Sequence, residues 1–160
     1  MIDAIVQNLE KGKYLLKNLC NDQYSYNQIP PYHSSIGAHM RHVLDVFQCV
    51  FKGLDNSQVD FTYRERNVTR EKCTIQGTAY FDDIIHQLKS LKKEDYSRNL
   101  IVIDNLGSGK ISYSTTLAAL LAQAQSHAIH HYATVGFLMN QQNIQLPNNC
   151  FGVNPTTPQK

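Results

Sequence analysis

The stretch from Leu117 to Leu138, LAALLAQAQSHAIHHYATVGFL, decides how this chain folds. Within it Leu117, Leu121, Ala124, Ala128, His131, Val135 and Leu138 recur in steps of four and three, the period with which an α-helix turns one face toward a core. The same helix carries His127 and His131 four positions apart. Residues at that spacing project from one face, so two ring nitrogens can converge on a single cation.

Reading outward from this helix, Leu100 to Ile103 is an apolar run rich in β-branched residues. Gly107-Ser108-Gly109 is a turn, and Ile111-Ser112-Tyr113 alternates after it, so a small two-stranded hairpin is expected over Asn99 to Thr115. The segment Gly107 to Lys110 lacks the earlier glycine of a phosphate-binding loop and has Ile111 where Ser or Thr belongs, which leaves it a turn. Tyr80, Phe81, Ile84, Ile85, Leu88 and Leu91 mark a third helix from about Thr74 to Leu91. Val59 to Glu71, VDFTYRERNVTRE, has many charges and no period, and is expected to be a long ordered connection. Before it, Ile36, Met40, Val43, Phe47, Val50 and Leu54 define a second helix, capped by Ser34 or Ser35 and ended by Gly53 and Asp55-Asn56-Ser57. Ile2, Ile5, Val6, Leu9, Leu16 and Leu19 define a first helix from Ile2 to Asn21. The polar segment from Asn21 to Pro31 stops it. The tail from Leu146 onward is expected to lie extended over the helices. Four amphipathic helices around one core, in a single domain of residues 1–160, is the architecture these patterns support.

The formal net charge is +2 over 160 residues. Lys and Arg are scattered except for Lys89, Lys92 and Lys93 near a helix end, so no basic patch speaks for nucleic acid. No apolar run approaches the roughly 18 residues of a membrane-spanning helix. Cys20, Cys49, Cys73 and Cys150 are far apart, and no leader precedes the first amphipathic segment. Reduced thiols in a cytoplasmic protein are therefore expected.

A third ligand could come from a facing helix, since His33, His39 and His42 lie in and just before the second one. On a wheel of about 100° per residue with His131 at zero, His127 falls at the edge of the apolar stripe and His130 on the flank, near −100°. With Val43 at zero, His39 falls near −40° and His42 near −100° on the same edge. The wheel favours His39, but residues three apart can both approach one site. His86 stands alone. Asp45, three residues after His42, reads as a solvated helix carboxylate rather than a partner for that ring, and Cys49 as a partly buried, inert thiol. Buried histidines are commonly hydrogen-bonded core residues, and an HxxxH pair arises readily by chance. Two imidazoles buried side by side nevertheless each lose water, and one nitrogen must stay an unprotonated acceptor, a need that one cation meets for both.

Taken together, SIGAHMRHVLDVF (Ser35 to Phe47), VDFTYRERNVTRE, SHAIHHYATVGFLM (Ser126 to Met139) and LPNNCFGVNPTTP (Leu146 to Pro158) resemble the DinB/YfiT-like superfamily over most of the chain. The resemblance implies an all-α, up-down-down-up four-helix bundle with a small β-hairpin before the last helix. It also implies a homodimer and a divalent cation, zinc or nickel, held by three histidines. Carried over position by position, the ligands match His42, in RHVLD, with His127 and His131, and His39 becomes a substitute or a supporting neighbour. Arg64, Arg66 and Glu71 match polar residues expected to form a structural ion-pair network. Val46 stands where some relatives have a further histidine. Ala118, Ala119 and Ala122 stand where some have charged residues.

Three imidazoles leave a coordination place open, which is the catalytic pattern. The function expected is that of a metal-dependent enzyme acting on a small molecule, either a hydrolase or a low-molecular-weight thiol transferase, as some members are. No carboxylate is placed as a general base. The alternative is a non-enzymatic bundle, ligand-binding or structural, with a vestigial metal site, to which Val46 and the uncharged Ala118, Ala119 and Ala122 give weight.

Overall fold

The apolar periods become helices α1 (Ile2–Leu16), α3 (Ile36–Lys52), α5 (Thr74–Ser90) and α6 (Leu117–Gln141), with two short ones, α2 (Asn21–Ser25) and α4 (Val68–Lys72), between them. The computed structural model describes residues 1–158, and the last two residues of the expected 1–160 domain lie outside it. α1 packs against α5 and α6, and α3 packs against the same two helices. Between them Leu9, Phe47, Phe81, Leu88, Leu121 and Val135 are fully buried. Ser35, not Ser34, starts α3, its hydroxyl accepting from the Ala38 N–H at 3.0 Å. Thr116 does the same for α6 through Ala119. No helix among the described residues is long and apolar enough to cross a membrane.

The chain is mostly helical, and the small β element has three strands rather than the two of the expected hairpin. Strand β1 (Gln58–Asp60) runs parallel to β2 (Asn99–Asn105), which pairs antiparallel with β3 (Lys110–Thr116) in the expected hairpin. Val59 pairs with Val102, and both are fully buried. Three residues are too few for an alternation to register, so this strand was hidden in the charged connection. The connection ends in α4, which lies against α3 and α5.

The first helix also departs from expectation by ending at Leu16. Asn21 opens the separate α2 and caps α5, its side-chain oxygen accepting from the Thr74 N–H at 2.9 Å. Tyr24, in the segment read as polar, is fully buried and donates its hydroxyl hydrogen to the Arg70 carbonyl at 2.9 Å. The tail packs on α6 through turns rather than an extended run. Phe151 stacks on Tyr132 with centroids 4.9 Å apart, and Gly152, at φ 73°, lies so close to Ala133 that a Cβ would meet its backbone nitrogen.

Candidate metal centre

α3 and α6 lie side by side, and that packing brings one histidine of the first to two of the second. His42 Nε2 is 2.9 Å from His127 Nε2, and the His131 ring is centred 4.7 Å from that of His42 and 4.4 Å from that of His127. One ligand atom from each of the three lies within 4.8 Å of the other two. His39 is not a member of this trio. The wheel favoured it because a wheel measures the angle toward the core, whereas these rings meet at the edge of the apolar stripe, where a flanking residue faces them.

Burial lowers the pKa of every one of these rings. For His42 it falls to about 4, from burial first and then His127 and Arg64, and for His131 to about 3, from burial and then the neighbouring histidines. His127 and His39 are lowered by burial and by His130. All four are neutral at pH 7, the form that ligates a metal, and the Nε2 atoms of His42 and His127, 2.9 Å apart, share a proton when no cation is bound. The donor set fits a divalent ion with a place left open.

The backbone matches that of YjoA, a DinB-like protein from Bacillus subtilis, with a TM-score of 0.68 and 18% sequence identity, over 92% of this chain and 95% of that one. The fold is DinB-like. No family model matches the sequence, and no curated protein matches it significantly.

What surrounds the three rings in this DinB-like fold comes from other elements. His39 Nδ1 is 2.7 Å from His131 Nδ1, and its Nε2 is 2.8 Å from Ser34 Oγ. For His131 to offer Nε2 to a cation its Nδ1–H must donate to His39, whose own Nε2–H then donates to Ser34. Ser34 is available because Ser35 took the capping role. His39 thus orients a candidate ligand, and His39→Ala is expected to weaken zinc affinity about 10- to 100-fold with the fold intact, measured by competition with a chelating dye.

Arg64, expected in an ion-pair network with Arg66 and Glu71, instead donates from its guanidinium to His42 Nδ1 at 3.0 Å. The network exists but is centred on Arg41, which pairs with Glu71 at 2.8 Å and with Asp45. Asp45 is therefore no solvated carboxylate. It is buried, accepts from the Tyr80 hydroxyl at 3.1 Å, and has no bond to His42. Arg70 stacks over Tyr80, 3.9 Å from the ring centroid. Cys49 is buried, its thiol pKa raised by that burial, in keeping with an inert side chain. His33, His86 and His130 are exposed, and only His130 lies near the trio, its ring 5.3 Å from that of His131.

Beside His42 and His127 opens a cleft of about 230 Å³, walled by Val46, Phe61, Arg64, Asp104 and Gln123. Asp104 and Gln123 carried no signal in the sequence. One sits in an alternating strand and the other on a helix flank, and only the folded hairpin sets them beside the histidines.

The metal-free protein should lose stability as pH falls below about 6.5. Unfolded histidines take up protons near their ordinary pKa, while the folded trio and His39 stay neutral to lower pH. The unfolded state then binds more protons, so the melting temperature in the presence of a chelator should fall between pH 7 and pH 5. A flat profile over that range would contradict the burial of these rings.

Proposed function

We propose that this chain binds one divalent cation, zinc or nickel, through His42, His127 and His131, and uses it as a metal-dependent enzyme on a small molecule. The scaffold would be the up-down-down-up four-helix arrangement that the resemblance implies. The observation that carries the proposal is the convergence of three neutral imidazoles beside a cleft, with no carboxylate or thiol among the described residues joining the ligand set. When bound, the ion supplies the positive charge that makes a thiol or a water nucleophilic near neutral pH. Of the two reactions, low-molecular-weight thiol transfer is favoured over hydrolysis. Three neutral ligands keep the full charge of the ion and suit a soft anionic thiolate.

The chain's own residues have distinct tasks in this proposal. His39 and Ser34 hold the His131 tautomer, and Phe61 and Val46 narrow access for water. Arg64 offers positive charge where an anion would sit. Protein purified without a metal-affinity tag should carry close to one zinc or nickel per chain by elemental analysis, and His127→Ala/His131→Ala should carry none while keeping its helical circular dichroism. Full retention of metal in the double variant would overturn the proposal.

A further inference from the structure

The cleft holds two opposite charges that do not meet. Arg64 and Asp104 both line it, and among the described residues neither enters an ion pair, although Arg41 nearby is paired twice. A simple anion drawn to Arg64 would be repelled by Asp104, and a simple amine drawn to Asp104 would be repelled by Arg64. A dipolar molecule satisfies both.

The hydrogen bond from Arg64 to His42 strengthens the point. A neutral imidazole that accepts at Nδ1 carries its hydrogen on Nε2, the atom that faces His127. To hold a cation through Nε2, His42 must move that hydrogen to Nδ1, where two donors would then confront each other. A cation held at Nε2 would therefore break the hydrogen bond from Arg64 to His42 and leave the guanidinium free at the cleft that it lines.

We propose that this cleft takes a small zwitterion of the α-amino-acid type, its carboxylate on Arg64 and its ammonium on Asp104, with the side chain left to reach the three-histidine site. The inference rests on the metal reading above and names the substrate class for it. A volume of about 230 Å³ lies below the roughly 300–1,000 Å³ of pockets for drug-sized ligands and suits a group of amino-acid size. Phe61 and Val46 supply an apolar wall for a short side chain, and the Gln123 amide supplies a further donor and acceptor. If the side chain is a thiol, the ligand is cysteine or a small molecule that carries a cysteine with both ends free.

Calorimetric titration of the zinc-loaded protein with three thiols tests this. They are L-cysteine, cysteamine, which lacks the carboxylate, and N-acetylcysteine, which lacks the ammonium, with bound zinc measured after each titration. Cysteine should bind about tenfold more tightly than either analogue, the effect of one charge-assisted contact. Arg64→Gln should abolish the advantage over cysteamine and keep that over N-acetylcysteine, and Asp104→Asn should do the reverse. Equal affinities for the three thiols, or variants that leave both ratios unchanged, would overturn the proposal while the metal reading stands. A protein that takes up neither zinc nor nickel would overturn both.

Discussion

Replacing Asp45 by Asn is expected to destabilise the protein by about 3–5 kcal/mol, a large part of the stability of a domain this size. The Asp45 side chain is 5% exposed and its partner Arg41 13%. Asparagine keeps the shape and can still accept from Tyr80, so what is lost is the charge facing a guanidinium that water barely reaches. Arg41 would be left with Glu71, which is more exposed at 24% and bonded through a different guanidinium nitrogen. Urea denaturation measures the loss as a lower midpoint at unchanged slope. A second variant separates the value of the pair from the cost of stranding one charge. Arg41→Met/Asp45→Leu removes both ions and should recover much of the loss. Because Asp45 bonds Arg41 and Tyr80 rather than His42, Asp45→Asn should still bind zinc under conditions where it is folded. A change within 1 kcal/mol of the parent would show that the buried pair contributes little.

That pair also shows where a sequence stops being informative. The four long helices were legible because each repeats an apolar residue every three or four positions over many turns, and a long signal survives local exceptions. The trio of histidines was legible in part. The spacing of His127 and His131 requires a shared face, whereas the choice between His39 and His42 depends on how α3 is rotated against α6, and no wheel contains that rotation. The connection from Val59 to Glu71 was opaque for another reason. Its strand is three residues long and its helix five, both sustained by tertiary contacts rather than by their own periodicity. Arg41, Arg64 and Glu71 are charged wherever they sit, and which carboxylate or imidazole each one finds is settled only when α4 folds back on α3. The resemblance supplied His42 as the candidate ligand. It could not supply the roles of Ser34, Asp104 or Gln123, which depend on a cap, a strand register and the placement of a hairpin.

How tightly α4 folds back can be read at Gly37, and Gly37→Ala is expected to cost about 3 kcal/mol. Intrinsic propensity argues the opposite, since alanine near the start of α3 would favour the helix by about 1 kcal/mol over glycine. Sterics decide. A Cβ at this position would stand 2.0 Å from the Glu71 carbonyl oxygen, 2.8 Å from its carbon and 2.9 Å from Tyr24 Cε1. A side-chain tip could swing away from such a contact, but the Glu71 atoms are backbone and Tyr24 is fully buried. α4 would have to withdraw, and with it would go the Arg41 to Glu71 ion pair and the hydrogen bond from Tyr24 to the Arg70 carbonyl. Gly136 on α6 is the control, because a Cβ there would meet only Leu146 Cδ2 at an ordinary 3.6 Å. Gly136→Ala should therefore gain about 0.5–1 kcal/mol through propensity and the stiffer unfolded chain. The two substitutions are chemically identical and both lie in long helices, so opposite shifts of the urea midpoint would isolate the close approach of α4 to α3 as the cause. Shifts of the same sign would show that Glu71 does not press on α3 as described.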